Sequence, residues 1–304
     1  MDNEEKKSNL TLPAAFVIAS IVIGGAIVYS AGIRNSDGPK KVAGENKIDS
    51  VIDLQEKVIP SGGVELPVKW GNLGKQLVNS GVIDANQLEA VYKDRGELGD
   101  EEKKLLYDEN NENIIINSKN SGYILNMFWA LGLANKNQVL ENGPMVDPQY
   151  GGAGGFASTG GWTISKGDAM NYYSKYPIIV LNPEQQALVE KVAKNIYRPC
   201  CGNSTYFPDC NHGMAMLGLL ELAASQGVGE SDMYKMALIV NSYWFPETYM
   251  AIGQYFENRG VAWEKVDAKE VLGANFSSAQ GYQRIQNEVN PPDVKSGGSG
   301  GCGV

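Results

Sequence analysis

An uncharged apolar segment near the N-terminus constrains the topology of this chain of 304 residues more than any other feature of its sequence. Residues 14–33 read AAFVIASIVIGGAIVYSAGI, a run of 20 residues without a charged side chain. A helix of this length crosses the hydrocarbon core of a bilayer, and Pro13 suits its first turn. The sequence therefore predicts a transmembrane helix over residues 14–33, preceded by a short cytoplasmic N-terminus of residues 1–13.

The charges that flank residues 14–33 leave the orientation of the predicted helix open. Basic residues occur both before and after it: Lys6, Lys7, Arg34, Lys40 and Lys41. A short N-terminal anchor usually leaves the following domain outside, and long domains translocate with little regard to their charge. We therefore expect residues 34–304 to lie on the extracytoplasmic side of the membrane.

A cleaved signal peptide is the alternative to a retained anchor. The apolar part of a signal peptide spans about 7–15 residues and is followed by a small-residue cleavage site. The run in this chain is longer, and residues 28–30, Val-Tyr-Ser, match such a site poorly. The sequence favours a retained anchor, so that the membrane itself is the first expected partner.

The composition of the chain excludes several classes of function. Hydrophobic residues make up 43% and charged residues 20%, values typical of a globular protein. The net charge of −9 argues against nucleic-acid binding, which needs a clustered basic surface. The single histidine, His212, excludes a metal centre built from several histidines of one chain. The oligomeric state stays open.

Apolar residues recur with helical spacing in most of the chain beyond the predicted anchor. Segments 121–134 and 212–225 are apolar on nearly all sides, which indicates helices buried in a core. A short β-like run occurs at residues 114–116. Predicted helices cover residues 47–58, the region of 73–78, 84–92, 100–107, 121–134, 184–197, 212–225, 231–243 and 246–258. The expected fold is mainly α: a transmembrane helix, then a soluble helical domain with little β structure and a glycine-rich central loop.

The glycine-rich stretch divides the soluble part of the chain. Residues 151–161 read GGAGGFASTGG and contain a G-x-G-x-x-A pattern, but Pro148 and Tyr150 precede it instead of a strand. This context excludes a dinucleotide-binding loop. We expect a loop packed against aromatic residues, with a substrate loop as the alternative. The predicted segments after the anchor are a linker at 34–65, a helical region at 66–150, a glycine-rich loop region at 151–182, a helical Cys/His domain at 183–290 and a flexible tail at 291–304.

Three of the four cysteines and the only histidine occur within 13 residues. They are Cys200, Cys201, Cys210 and His212. Thiolates and imidazole suit Zn²⁺ and Cu⁺, and three cysteines with one histidine complete a tetrahedron. The spacing differs from standard zinc motifs, because adjacent cysteine side chains diverge. The sequence therefore predicts a soft-metal site, for copper or zinc, with an unusual arrangement of ligands.

Three other sulfur-containing residues extend this set of candidate ligands. Met214 and Met216 follow His212 and would add soft ligands for copper, although their leucine-rich helix favours ordinary core packing. Cys302 lies on the glycine-rich tail and could reach the cluster as a delivery ligand or a resolving thiol. The aromatic stretch at 241–249 would wall the site or belong to the core.

The same cysteines are compatible with two functions that need no metal. Cysteines outside the cytoplasm usually pair, and a bond from Cys200 or Cys201 to Cys210 would serve thiol–disulfide exchange with a partner protein or would staple two helices. We expect Cys200 and Cys201 at the end of one helix and Cys210 at the start of the next, where the helix dipole lowers a thiol pKa. Asp209 is the expected N-cap. No residue is assigned a catalytic role.

The order of residues around the cysteines has a counterpart in a known family. An arginine, a cysteine and a polar turn come first, and a Gly-containing break between helices follows: Arg198, Cys201, Asn203, Ser204 and residues 226–233. Residues 185–250, about a fifth of the chain, thereby resemble the thiol module of CcmH-type cytochrome c maturation proteins. Residues 199–202 are similar to small anchored proteins with a Pro-Cys-Tyr-Cys-Gly-Cys signature. This chain has a vicinal pair in place of spaced cysteines. The resemblance implies a membrane-tethered protein that handles thiols or metal ions.

Overall fold

The computed structural model describes residues 43–93 and 96–289, with only the backbone for residues 43–49. The chain divides into two compact units, residues 1–47 and residues 48–304. Nearly all of the described residues belong to the second unit, which contains the cysteine-rich stretch.

The predicted membrane anchor falls beyond the part of the chain that the structure describes. Within residues 43–93 and 96–289, none of the helices combines the length and the apolar character needed to cross a membrane. Outside these ranges lie the predicted N-terminal segment 1–13, the predicted anchor 14–33, residues 34–42 of the linker and the tail 291–304 with Cys302.

The described residues are mainly helical, as the sequence predicts, with one sheet of two strands. The helices are α1 Ala43–Val58, α2 Leu73–Ser80, α3 Ala85–Lys93, α4 Asp100–Tyr107, α5 Ser121–Ala134, α6 Gln138–Asn142, α7 Ala157–Gly160, α8 Pro183–Ala193, α9 Asn211–Ser225, α10 Glu230–Trp244, α11 Pro246–Glu257, α12 Ala268–Leu272, α13 Ala274–Ser277 and α14 Ala279–Glu288. The strands are β1 Val64–Gly71 and β2 Asn111–Ile116. Short 3₁₀ turns occur at Pro144–Val146, Pro148–Tyr150, Ala153–Gly155, Ala169–Asn171 and Trp263–Lys265.

Helices α5 and α9 form the centre of the core and confirm the two predicted buried helices. Gly132 of α5 lies against the backbone of Met214, and Gly218 of α9 lies against the backbone of Phe128. A Cβ atom at either glycine would collide with a carbonyl oxygen of the opposite helix. The two glycines therefore allow a close crossing, and α9 is held firmly where its first turn meets the cysteines.

The remaining helices surround this central pair. Helix α8 packs on α9, and α10 contacts α5, α8 and α12. Helix α11 packs against α14. These contacts place the loop between α8 and α9 beside the start of α14.

A strand that the sequence reasoning missed runs along the edge of the core. β1 pairs antiparallel with β2, in which the predicted β-like residues 114–116 lie. Leu66, Val68 and Trp70 of β1 point inward and are almost fully buried. The burial alternates with the period of two residues expected for a strand. The segments predicted from the sequence instead place residues 64–65 in the linker and residues 66–71 in a helical region.

The glycine-rich region packs on aromatic side chains, as expected from its composition. The Trp129 indole donates a hydrogen bond to the Ser158 carbonyl at 2.7 Å. The centroids of the Trp129 and Trp162 rings are 4.9 Å apart. Short helical turns, α7 among them, interrupt what the sequence predicted to be a loop.

Helix α8 is shorter than predicted, and this changes the surroundings of the cysteines. It begins with a capping box between Asn182 and Gln185 and ends at Ala193 instead of continuing to residue 197. Cys200 and Cys201 therefore lie in a loop, not at a helix end. The N-cap of α9 is Cys210, so the expectation that Asp209 caps this helix is wrong.

Candidate metal centre

Three cysteine sulfur atoms converge in the loop between α8 and α9. The Sγ atoms of Cys200, Cys201 and Cys210 all lie within 4.8 Å of one another. The Sγ atoms of Cys200 and Cys210 are 3.5 Å apart, and all three side chains are free thiols. The structure thus brings together the three clustered cysteines that the sequence predicted as ligands.

A tight backbone turn presents Cys200 and Cys201. Tyr197 and Ser204 form an isolated antiparallel bridge that closes the turn. The Cys201 carbonyl accepts a hydrogen bond from the Ala279 amide at 2.9 Å, at the start of α14. Because both ends of the turn and its middle are tied, two adjacent cysteines can direct their sulfur atoms to one point without a helix behind them.

Cys210 joins the cluster from the other side, at the start of α9. Its Sγ atom accepts a hydrogen bond from the Gly213 amide at 3.4 Å, which is the N-cap interaction of the helix. The N-terminus of a helix carries partial positive charge and stabilises an anion placed there. Position alone therefore favours the thiolate form of Cys210.

The Arg198 guanidinium lies behind the three sulfur atoms and is only 1% exposed. Its Nε donates to the Cys210 Sγ at 3.0 Å, and its Nη2 donates to Asp209 Oδ1 at 2.6 Å. The carbonyl oxygens of Asn203 and Phe207 accept its other hydrogen bonds. This side chain ties the loop to the helix start and supplies a positive charge next to a thiol. Sequence reasoning noted Arg198 only as part of a family resemblance.

Gly213 leaves the space that the guanidinium fills. A Cβ atom at this position would lie 2.8 Å from Nε of Arg198 and closer still to its Cζ and Nη2 atoms. Any larger residue must therefore displace Arg198. The pattern Arg198–Cys210–Gly213 is the signal in the sequence that could have revealed the arrangement.

The three thiols differ in their readiness to ionise. Hydrogen bonds from Cys200 and Cys201, helped by Arg198 and His212, hold the pKa of Cys210 well below its usual range despite burial. Hydrogen bonding to Cys201 and Cys210 raises the pKa of Cys200. For Cys201, the bond to Cys200 lowers the pKa, but bonding to Cys210 and burial outweigh it and raise the pKa to about 11. Of the three cysteines, Cys210 is therefore the one whose surroundings most favour ionisation.

His212 lies beside the cluster but is not among its converging ligand atoms. Its ring centroid is 4.3 Å from that of Phe245 and 5.8 Å from that of Trp244. A hydrogen bond from His212 contributes to the lowered pKa of Cys210, and its Nδ1 is buried without a hydrogen-bond partner among the described residues. The aromatic stretch at 241–249 therefore walls this histidine.

The other sulfur-containing candidates are separate from the three thiols. Met214 and Met216 are buried among the leucines of the core, where ordinary packing accounts for them. Cys302 lies outside the described residues. Access to the site from solvent is through Cys200, which is exposed, whereas Cys210 is buried.

Comparison with known proteins adds no assignment: no protein-family model, curated protein or solved structure matches this chain. The function must therefore be argued from the site itself. The class of site that the geometry defines is a cluster of three thiols, able in principle to bind a metal ion or to undergo thiol chemistry.

Proposed function

We propose that this protein binds a soft metal ion, copper or zinc, through Cys200, Cys201 and Cys210. The observation that carries the proposal is the convergence of three Sγ atoms within 4.8 Å of one another. Thiolates are the ligands that Cu⁺ and Zn²⁺ prefer. Because the folded chain already gathers these atoms, the metal ion does not have to order them.

The surroundings of the sulfur atoms favour a bound cation. Cys210 is the thiol most readily ionised, since two neighbouring thiols and Arg198 lower its pKa. A metal ion would replace the protons of Cys200 and Cys201. Because the pKa values of both thiols are raised, binding releases protons and weakens as the pH falls.

Copper and zinc make different demands on this site. Cu⁺ is satisfied by soft sulfur ligands, whereas a structural Zn²⁺ site takes four ligands in a tetrahedron. His212 and Cys302 are the candidates for a fourth ligand: His212 because it adjoins Cys210, Cys302 because of its glycine-rich tail. Met214 and Met216 would require the core to open.

Metal binding is tested on the full chain, purified without oxygen. Native mass spectrometry should show one bound Cu⁺ or Zn²⁺, and competition with a chelator should give its affinity. Cys200→Ser, Cys201→Ser and Cys210→Ser should each weaken binding. Ser204→Ala, in the same turn but without a sulfur atom, is the matched control. Unchanged metal content in all three cysteine variants would refute the proposal.

Thiol–disulfide exchange is the second candidate, favoured by the distance of 3.5 Å between the Sγ atoms of Cys200 and Cys210. An external disulfide would accept two electrons and two protons as these thiols form one bond. An intact mass lower by two hydrogens, restored by mild reductant, would support exchange. A bond that resists mild reductant would support a structural staple instead.

The proposal includes the location of the site. The uncharged segment 14–33 would anchor the chain and place residues 34–304 on the extracytoplasmic side, where a partner protein would deliver the metal ion or exchange thiols. The length and composition of the segment support this, as does the resemblance of residues 185–250 to CcmH-type modules. Resistance of the chain to carbonate extraction, with residues 34–304 digested by protease added outside, would agree with it. Release of the chain by carbonate would contradict it.

A further inference from the structure

The thiol cluster offers three converging donors, and among the described residues no fourth ligand atom converges with them. No histidine, aspartate or glutamate in the described ranges joins Cys200, Cys201 and Cys210 in the converging group. Asp209 Oδ1 lies 3.9 Å from the Cys201 Sγ, but the Arg198 guanidinium binds it at 2.6 Å. The site therefore fits an atom that forms three bonds to sulfur and needs no further ligand.

The formal charges around the cluster favour a trivalent centre. Arg198 and Asp209 cancel each other as an ion pair. Three thiolates then carry three negative charges, so a monovalent ion leaves two of them uncompensated, a divalent ion one and a trivalent centre none. Net charge is costly where it is buried, and Cys210 is only 5% exposed.

The cluster is also open on one side. Cys200 is exposed and Cys201 is partly exposed, whereas Arg198 and Cys210 form the buried floor. A small neutral oxyacid can approach the exposed thiol without crossing a charged barrier. Trivalent arsenic is such a species in water, as As(OH)₃, and it forms three pyramidal bonds to sulfur with its lone pair at the fourth vertex.

We infer that the Cys200, Cys201 and Cys210 cluster binds trivalent arsenic as a three-thiolate complex. The inference rests on the proposed function, in that the three sulfur atoms act as ligands together. In the reaction, As(OH)₃ and three thiols give As(S-Cys)₃ and three water molecules. Each As–O bond is replaced by an As–S bond, each thiol proton leaves with a hydroxide, and arsenic stays trivalent. Where a cysteine is already ionised, solvent supplies that proton.

Sodium arsenite is the probe for this inference, added to the full chain without oxygen. X-ray absorption at the arsenic edge should show three sulfur neighbours and no oxygen. The intact mass should rise by one arsenic less three hydrogens. A centre with two sulfur neighbours and one oxygen would overturn the inference, because one cysteine would then not be a ligand.

Single variants identify the three sulfur atoms. Cys200→Ser, Cys201→Ser and Cys210→Ser should each weaken arsenite binding about 100-fold or more, the loss expected when one tethered contact is removed. Phenylarsine oxide can form only two bonds to sulfur, so each variant should still bind it through the remaining pair. Retained phenylarsine oxide binding shows that the two remaining thiols are reduced and accessible, and an unchanged denaturant unfolding curve shows that the variant is folded. Arsenite affinity unchanged in any such folded variant would overturn the inference.

A parallel titration with Cu⁺ and Zn²⁺ separates this inference from the proposed function. Binding of Cu⁺ or Zn²⁺ together with an arsenic centre that lacks the third sulfur would defeat the inference alone. Binding of arsenic by three sulfur atoms without Cu⁺ or Zn²⁺ would support it and defeat the copper or zinc assignment. Binding of neither would defeat both.

Discussion

A buried ionisable side chain lies near each end of helix α9, and the surroundings favour the charged form of one and the neutral form of the other. At its start, the buried Arg198 contacts the Cys210 sulfur and the Asp209 carboxylate. Toward its end, Glu221 is fully buried, and its Oε2 accepts one hydrogen bond from Asn135 at 3.0 Å. Burial raises the pKa of Glu221 well above its usual range, although Asn135 and Asn137 oppose the shift.

The difference between the two ends lies in the partners, not in the depth of burial. Arg198 has opposite charges within hydrogen-bond distance, so its charge is retained in the interior. The polar groups that bear on the Glu221 carboxyl are the amides of Asn135 and Asn137. Its Oε1 lacks a hydrogen-bond partner among the described residues, so the neutral acid is favoured. A charge kept at the helix start can serve ligand binding, whereas the suppressed charge at Glu221 serves packing.

Replacing Arg198 by Met should have the largest effect on stability. The change removes a buried guanidinium and leaves Asp209 and the Cys210 thiolate without their partner. Breaking a buried pair in this way costs about 3–5 kcal/mol. Denaturant unfolding measures it. Arg259→Met is the control, because the Arg259–Glu288 pair is exposed and should cost at most about 1 kcal/mol. Equal losses in the two variants would contradict the comparison.

Gly213→Ala should come next, because its new Cβ atom must displace the Arg198 guanidinium. Forcing an extra methyl group into a packed site costs about 1–3 kcal/mol. Gly202→Ala tests the same change in the neighbouring turn, where a Cβ atom meets nothing within 4 Å. We expect Gly213→Ala also to weaken metal binding and Gly202→Ala to leave the free energy of unfolding nearly unchanged. No difference between them would argue against a structural role for Arg198.

Glu221→Gln should stabilise the chain, whereas most substitutions in a packed core destabilise it. A carboxyl group whose pKa is raised on folding contributes stability below its unfolded pKa, and loses that contribution as the pH rises through its folded pKa. The unsubstituted chain should therefore lose stability with rising pH, and Glu221→Gln should flatten this dependence. At pH 8 we expect the variant to be more stable by about 1–3 kcal/mol, the desolvation cost of an unsatisfied group. Glu184→Gln, which removes an exposed carboxylate instead of a buried one, is the matched control.

Replacement of His212 should have the smallest effect of the four. His212→Phe keeps an aromatic ring against Phe245 but removes the hydrogen bond that helps to lower the pKa of Cys210. The pKa of Cys210 should rise, although less than in Arg198→Met. The ultraviolet absorbance of the thiolate, followed against pH in the metal-free chain, measures it. A larger rise in His212→Phe than in Arg198→Met would show that histidine, not arginine, governs the thiolate.

The buried helices were predictable because their sequences allow little else. Residues 121–134 and 212–225 are apolar on nearly every side, and the structure buries them as α5 and α9. The gathering of Cys200, Cys201 and Cys210 also followed from their clustering in sequence. The local sequence pattern was sufficient to predict the two buried helices and the cysteine cluster.

The features that were missed depend on contacts between distant segments. Residues 64–71 form a strand only because β2 pairs with them. Helix α8 ends early because the chain turns at Tyr197 to pair with Ser204. Arg198 gains its role from Asp209 and Cys210, which lie 11 and 12 residues further along the sequence but adjacent in space. Tertiary context outweighed local propensity in each case.

The Cys210 sulfur atom that caps α9 would share its electron pairs between the Gly213 amide and a bound metal ion or arsenic. When Cys210 donates its electron pair to a metal ion or to arsenic, less density remains for the Gly213 amide. Loading of the proposed site should therefore change the protection of the Gly213 amide proton against hydrogen exchange. Amide exchange at Gly213 should become faster on loading. The exchange rates in the middle of α9, where Gly218 packs closely against α5, should not change. Hydrogen exchange at Gly213 would therefore report whether the proposed site is loaded.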